Sequence, residues 1–299
     1  MRIGILTRTP GHSVRRLKEA AEARGHQVVV IKYPECYVEI EQDKPEVYYR
    51  GRPLDSLDAI IPRIMPGITS YGAAIVRQFE MMGVYTPTKS IAITRSRDKL
   101  RSLQLLSKAG VGIPRTLFSR ETDAVDDLID HIGVPMIIKL ASGTQGNGVV
   151  LAETRKAAKS VIQAFYVNDT SFLMQEYIAE SGGADIRAFV AGNKVVASMK
   201  RQSLDDDFRA NIHQGGSGTA IKLTDEEKRV VLRAAKAMGL AICGVDLIRS
   251  DRGPLVLEVN SSPGLEGIEA VTGRDIATPI IEYVERNAKQ RNRKDKVGA

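Results

Sequence analysis

The chain has 299 residues, 43% apolar and 26% charged, with a net charge of +7. That profile excludes a disordered, collagenous or disulfide-stapled chain and leaves apolar mass for two or three modest folded units. No apolar run reaches bilayer-spanning length, and the positive balance favours an acidic partner: phosphate, nucleic acid or a carboxylate-rich peptide.

The N-terminus, MRIGILTRTP, lacks a long apolar stretch, so residues 2–7 read as a first strand and not as a signal peptide. Residues 13–24 (SVRRLKEAAEAR) read as a helix stopped by Gly25, and QVVVI (27–31) as the next strand. DAIIPRI (58–64) and a helix over 72–82 continue a small α/β unit. A boundary falls near residues 88–95, before a new helix that runs to about residue 109 and carries Arg95, Arg97, Asp98, Lys99 and Arg101. A second unit follows: a helix at about 121–131, a strand PMIIKL (135–140), a glycine loop, a strand GVVLAE (148–153), a helix over 154–166 and a strand over 171–178. From residue 184 two long strands flank a Gly192–Asn193 turn. A polar, glycine-rich stretch over 203–219 interrupts the pattern. A helix over 225–238 then opens with a capping box from Thr224 to Glu227. Strands over 240–249 and 254–260 and a helix over about 274–288 complete the chain, with a basic tail, KQRNRKDKVGA, that reads as mobile. The two cysteines, Cys36 and Cys243, show no metal spacing and fit a reducing compartment, the cytoplasm. Cys243 lies in the apolar stretch 240–245 and reads as core.

The segment LVLEVNSSPG (255–264) places a carboxylate and a carboxamide two residues apart in an apolar strand, so Glu258 and Asn260 share a face. A three-residue loop, Asp251–Arg252–Gly253, would pair Ser250 with Pro254 and, counting back, Asp246 with Glu258. Adjacent carboxylates on an apolar face repel unless a cation lies between them, and oxygen ligands suit Mg²⁺ or Mn²⁺ beside phosphates. An isolated E-x-N is ordinarily a solvent-facing strand; with Asp246 in register, the metal reading leads. The loop SGTQGNG (142–148) after Lys139 lets backbone N–H groups approach phosphate, although a plain hairpin loop fits it too. It is neither a Walker loop nor a dinucleotide fingerprint. Gln175–Ile178 can offer backbone groups to a purine, Asp185 can accept from ribose hydroxyls, and Arg187 can meet an anion; each alone is more often a surface strand residue. DFRANIHQGGSG (207–218) reads equally as a substrate loop or a linker. The chain has no G-x-S-x-G, H-E-x-x-H or C-x-x-C, and its four histidines form no evident triad. With no obvious covalent nucleophile, the chemistry rests on bound nucleotide and metal.

Lys99, Lys139, the glycine loop, QEYI, D-I-R at 185–187 and D…E-x-N at 246, 258 and 260 together resemble the ATP-grasp ligases over nearly the whole chain. RSRDKLRSLQLL, GTQGNGVVLAETR, DFRANIH and EVNSSPGLEGIE resemble the RimK family, which adds glutamate to the C-terminus of the sixth small-subunit ribosomal protein. The resemblance implies an α/β and α+β architecture: a Rossmann-like pre-ATP-grasp domain (1–93), a central lobe with the glycine loop (94–175) and a C-terminal lobe with the metal site and basic tail (176–299). It implies Lys99, Lys139 and the loop glycines Gly143, Gly146 and Gly148 on the phosphates, Glu176, Tyr177 and Ile178 along adenine, and Asp185 at the ribose. Arg209, Ala210 and Asn211 would lie near the γ-phosphate, and Asp246, Glu258 and Asn260 would hold two Mg²⁺ or Mn²⁺ ions. Arg187, Arg201 and Arg209 become candidates to meet the acyl phosphate or the carboxylate substrates. The family pattern often has a basic residue where Gln214 stands, which bears on the acceptor contact.

The implied reaction is ATP-dependent addition of L-glutamate to an acidic protein or peptide C-terminus through an acyl phosphate, by a cytoplasmic homo-oligomer, a tetramer in the resemblance, without membrane or sequence-specific nucleic-acid binding. A ligase for another amino acid or small acceptor is the alternative within the fold. A non-catalytic RNA-binding module is a third reading; it needs no D…E-x-N face and uses stacking aromatics, which here are 5% with no tryptophan.

Overall fold

The computed structural model describes residues 1–119, 125–140, 148–167, 171–203 and 217–291. At the N-terminus, β1 (Arg2–Thr7), α1 (His12–Ala23) and β2 (Gln27–Lys32) form the expected β-α-β unit. A hairpin of β3 (Cys36–Glu41) and β4 (Lys44–Tyr49), extended by β5 (Arg52–Pro53), comes next, then β6 (Ala59–Arg63) and α2 (Thr69–Met81). The main sheet has the order β2-β1-β6, with β1 parallel to both neighbours. Parallel strands covered on both faces read as continuous apolar runs, and Ile3, Ile5 and Leu6 are fully buried. The hairpin β3–β4 carries little alternation and escapes sequence reading; Tyr37 stacks on Tyr48 across it.

Two helices follow where the sequence suggests one, α3 (Ser90–Arg97) and α4 (Lys99–Lys108). Asp98 breaks them by taking extended backbone and accepting from the Arg101 N–H, as an N-cap does. The next sheet combines β7 (Thr116–Ser119), β8 (Met136–Leu140), β9 (Val149–Ala152) and β10 (Phe172–Glu176) in the order β7-β10-β8-β9. Helices α5 (Val125–Ile132) and α6 (Arg155–Val167) supply its core with Val125, Ile129, Ala158 and Ile162.

The last sheet, in the order β13-β12-β11-β14-β15, is antiparallel throughout. Its strands are β11 (Ala184–Ala191), β12 (Lys194–Gln202), β13 (Ser217–Ala220), β14 (Ile242–Ser250) and β15 (Gly253–Asn260). Between β13 and β14 lies α7 (Asp225–Met238), and α8 (Glu266–Thr272) and α9 (Ala277–Arg291) follow β15. The sequence reading misses α8 and ends the last helix early: α9 takes in residues 289–291 of the basic tail, whose remainder lies outside the described residues.

The apolar cores cut across the boundaries expected from sequence. Leu106 and Val111, grouped by sequence with the glycine-loop lobe, pack instead with α7, β11 and β14 of the C-terminal lobe. Ile3, Ile5 and Leu17 of the N-terminal unit share a core with Ile280, Ile281 and Val284 of α9. The C-terminal sheet therefore has two covered faces. Ile186, Ala188, Cys243 and Val245 turn to α7, while Phe189, Ala191, Met199 and Ile242 turn to the core shared with β1 and α1. Both thiols are free and buried, and burial pushes Cys36 up to about 12 and Cys243 higher still, so both are packing residues. No helix among the described residues is long and apolar enough to cross a membrane.

The capping box of α7 is complete: Thr224 Oγ1 accepts from the Glu227 N–H at 3.1 Å, and Glu227 Oε2 accepts from the Thr224 N–H at 2.8 Å. Thr224→Ala removes one half of it and should lower stability by about 1 kcal/mol in chemical denaturation, without changing the reaction. A stability equal to the parent's would show that α7 is held by packing alone.

Candidate active site

The charged residues sit on one half of one sheet face. Alternation puts Asp185, Arg187, Phe189 and Ala191 of β11 on the same side, so the face that is apolar at one end is ionic at the other. Register brings their partners alongside: Asp185 opposes Arg201, Arg187 opposes Asp246, and Asp246 opposes Glu258. The last pairing is the one the sequence suggests, reached by another route. The β14–β15 turn has two central residues, with Ser250 opposite Gly253 and Arg249 opposite Pro254, and not the three-residue loop expected. That register alone would miss Glu258 by one. A bulge at Asp246/Leu247 inserts the extra residue and restores the pair.

Asp246 is 3% exposed and held by two arginines. Arg187 Nε donates to its Oδ1 at 2.7 Å, and Arg187 Nη2 donates to its Oδ2 at 2.5 Å. Arg201 Nη2 lies 3.0 Å from the same Oδ2 and also grips Asp185 with two bonds of 2.6 Å. Two carboxylates and two guanidiniums thus neutralise one another inside the fold, which burial requires of charges. Burial opposes the ionised form of Asp246, but Arg187 and Arg201 outweigh it and hold the group well below the usual carboxylate range. Asp185, further from the double clamp, is pushed up by burial to about 6 against the pull of Arg201. Arg187 and Arg201 were expected to face substrate; here they bind the acidic residues of their own sheet.

Glu258 is the surplus carboxylate. Its Oε1 accepts from Asn260 Nδ2 at 2.8 Å and stands 4.0 Å from Arg187 Nη2. Protein atoms crowd it, and this burial and the Asp246 charge raise its pKa. Its side chain is nevertheless 54% exposed, so contact with water tempers the rise. Cations surround it. Lys99 Nζ donates to the Leu140 carbonyl at 3.0 Å, and Lys139 Nζ donates to Gln175 Oε1 at 2.7 Å. Both lysines and Arg97 are electrostatically coupled to Glu258, and burial lowers the pKa of all three, Lys139 to about 8. Arg97 was not singled out as a site residue by sequence. One carboxylate among three cations leaves a positive field that suits a polyanion.

Asp246, Glu258 and Asn260 form an all-oxygen donor set on one face, which fits Mg²⁺ or Mn²⁺. Among the described residues no three acidic, histidine or cysteine side chains form a cluster that could hold a metal ion, so a cation here needs the carboxamide and oxygens from a phosphate. It would also share Asp246 with Arg187.

Of the other expected site residues, Gly143, Gly146, Arg209, Ala210, Asn211 and Gln214 lie outside the described residues. Gly148 has φ +72°, and a Cβ there would meet Leu140 Cδ1 at 2.5 Å, so the loop exit demands glycine. Glu176 accepts from the Arg115 N–H at 2.6 Å and pairs with Arg252, which fixes the strand end before Tyr177. Ile178 packs with Ile248, Leu255 and Leu257 as a small apolar patch. Asp185 has both oxygens on Arg201 in this structure.

A positively charged gap, with the glycine-loop sheet on one side and an acid-bearing antiparallel sheet on the other, defines an ATP-grasp ligase. The pattern of the RimK-like ATP-grasp domain matches residues 96–284, and that of the RimK pre-ATP-grasp domain matches residues 1–93. The chain belongs to the RimK family. It is 57% identical over 296 residues to a probable alpha-L-glutamate ligase of Vibrio cholerae serotype O1, covering 98% of each chain. It is 58% identical over 290 residues to one from Pseudoalteromonas translucida, covering 96% of each. Among solved structures, the ATP-grasp ligase PsnB with minimal precursor, Mg and ADP superposes with a TM-score of 0.76 at 21% identity, covering 96% of this chain and 98% of that one. D-alanine–D-alanine ligase from Bacillus anthracis gives 0.67 at 17% identity, covering 99% and 100%. These two share the fold.

Lys139 carries a pH prediction. Its folded pKa, about 8, lies below the ordinary lysine value of 10.5 because of burial. The unfolded chain therefore binds the extra proton between pH 8 and 10.5, so this group adds stability as pH rises through that window. Phosphate attraction runs the other way. ATP affinity by calorimetry should weaken as pH rises through about 8, and Lys139→Arg, which stays charged, should move that weakening to higher pH. The same pH dependence in the arginine variant would remove Lys139 from the phosphate site.

Proposed function

We propose that this protein uses ATP to add L-glutamate to the C-terminal carboxylate of an acidic protein or peptide, with the sixth small-subunit ribosomal protein as the acceptor. The observation that carries the reading is the lone, open Glu258 among Arg97, Lys99 and Lys139, beside the charge-balanced Asp246. Support for the donor comes from relatives named alpha-L-glutamate ligases at 57% identity over almost the whole chain. Support for a peptide acceptor comes from a shared fold with PsnB, solved with a precursor peptide.

A carboxylate is a poor electrophile, so the reaction starts by phosphorylating it. An acceptor oxygen attacks the γ-phosphorus of ATP and ADP leaves, giving an acyl phosphate. The glutamate amine then attacks the acyl carbon, loses a proton, and expels phosphate with the acceptor oxygen. Lys99 and Lys139 hold the triphosphate and offset the charge that develops on transfer. Glu176–Ile178 and the apolar patch of Ile178, Ile248 and Leu255 receive adenine. Arg209, Ala210 and Asn211, which the resemblance assigns to the γ-phosphate, lie outside the described residues. In this reading Arg187 and Arg201 position Asp246 and Asp185, and Arg187 would also be available to the acyl phosphate. Asp246, Glu258 and Asn260 would hold two Mg²⁺ or Mn²⁺ ions, which would supply neutralisation of the phosphate charge. The same reading places the protein in the cytoplasm as a homo-oligomer. Exposed Tyr37, Val38 and Ile40 on β3 and Tyr71 and Met81 on α2 offer an apolar surface for such assembly.

The test is a mass measurement. With Mg-ATP, each of the common amino acids in turn and a peptide ending in two glutamates, only glutamate should lengthen the peptide, with stoichiometric phosphate release. Glu258→Gln should cut turnover by roughly a hundredfold or more while the fold persists by circular dichroism. Addition of a different amino acid would reassign the donor, and full turnover in Glu258→Gln would move the metal elsewhere.

A further inference from the structure

The N-terminal sheet brings its own charge to this site. β1 leads through α1 to β2 on one side, while β6 lies on the other, so the strand order reverses between β1 and β6. In open α/β sheets ligands bind beyond the carboxyl ends of strands at such a point. Arg63 is the last residue of β6 and pairs in register with Thr7, the last of β1. It is 8% exposed. Its Nη2 donates to the Pro263 carbonyl at 2.5 Å and reaches the Ser262 carbonyl at 3.4 Å, and no carboxylate accompanies it among the described residues. The loop it holds follows directly from Asn260.

The polar groups around that junction lack partners. Ser261 is 3% exposed, and the hydroxyls of Ser261 and Ser262 make no hydrogen bond. Arg97 donates Nη2 to the Ile64 carbonyl at 2.9 Å, but its buried Nε has no acceptor. Arg97 is electrostatically coupled to both Arg63 and Glu258, which links the N-terminal strand end to the acidic face of β15. Two guanidiniums bonded to carbonyls and to no carboxylate, and two orphan hydroxyls, from three separate segments, are costly in an empty protein. Native folds leave few such groups.

We propose that Arg63, Arg97 and the Ser261–Ser262 hydroxyls form the site of the free amino acid, and that the guanidiniums take its two carboxylates. This rests on the glutamate ligase reading and deepens it. Arg63 and Ser261 are 8% and 3% exposed, and groups so buried suit a small free dicarboxylate better than a polypeptide end. Lys99 and Lys139 already answer the phosphates on the other side of Glu258. Bidentate guanidinium recognition also separates glutamate from glutamine, because the amide cannot accept at both atoms.

Steady-state kinetics on the full-length protein test it, varying glutamate, ATP and a peptide ending in two glutamates in turn. Ser262→Ala deletes an unpaired hydroxyl, so a structural role predicts an unchanged or higher Tm and unchanged KM values. The proposal predicts that same Tm with a glutamate KM raised roughly tenfold, and a similar or larger rise in Arg97→Gln that Arg97→Lys partly rescues. Arg97→Gln should also narrow the preference for glutamate over glutamine, with glutamate KM raised by a larger factor than ATP KM. An unchanged glutamate KM in both variants overturns the proposal. A raised acceptor KM with glutamate KM unchanged overturns it too and gives the site to the peptide C-terminus. A parent enzyme that turns over without glutamate dependence would instead contradict the ligase reading, before any variant is made.

Discussion

The structure turns on the clamp of Arg187 and Arg201 around Asp246. A carboxylate 3% exposed cannot stay ionised alone in a protein interior. Two guanidiniums make it possible, and Asp185 completes the balance by pairing with Arg201. Once that quartet is neutral, the electrostatics of the remaining site follow. Glu258 is left as one negative charge facing Arg97, Lys99 and Lys139, and the net field between the two sheets is positive. A site built this way attracts a polyanion and presents oxygen ligands at its centre.

The clamp also ties the reaction to the fold. Asp246 reaches Glu258 only through the bulge in the β14–β15 pair, and Arg187 and Arg201 reach Asp246 only through the register of β11 with its two neighbours. Gly244 in β14 belongs to the same design. A Cβ there would stand 2.9 Å from Pro263 Cβ, so its absence lets the loop after Asn260 lie against the sheet. That loop meets Arg63 from the N-terminal unit. The three segments of the chain therefore converge on one place, and the core that α9 shares with β1 and α1 keeps them there.

Much of this was legible in the sequence, for physical reasons that differ by element. The apolar runs at 2–7 and 136–140 and the capping box at Thr224 carry strong local signals, and they form what those signals imply. Counting along the chain pairs Asp246 with Glu258 because two differences cancel: the turn is one residue shorter than the sequence suggests, and a bulge adds one residue back. Bulges depend on twist and neighbours, so counting along a chain does not reveal them. The clamp itself is not legible: sequence alone aims Asp185, Arg187 and Arg201 at ligands, because cross-strand pairing is invisible without register. Arg63 and Arg97 were passed over for a related reason: their partners are backbone carbonyls of distant segments. An arginine closing the apolar strand AIIPR was the one signal available, since a buried charge with no nearby acid needs an explanation.

The central claim is that the site activates a carboxylate by phosphorylation. The direct measurement uses an acceptor peptide whose C-terminal carboxylate oxygens are both oxygen-18, incubated with unlabelled Mg-ATP and glutamate. The account predicts that the first glutamate joined to each labelled peptide sends one oxygen-18 atom into the released phosphate, read by mass spectrometry. Phosphate that carries no label, with the peptide still lengthened, would contradict it.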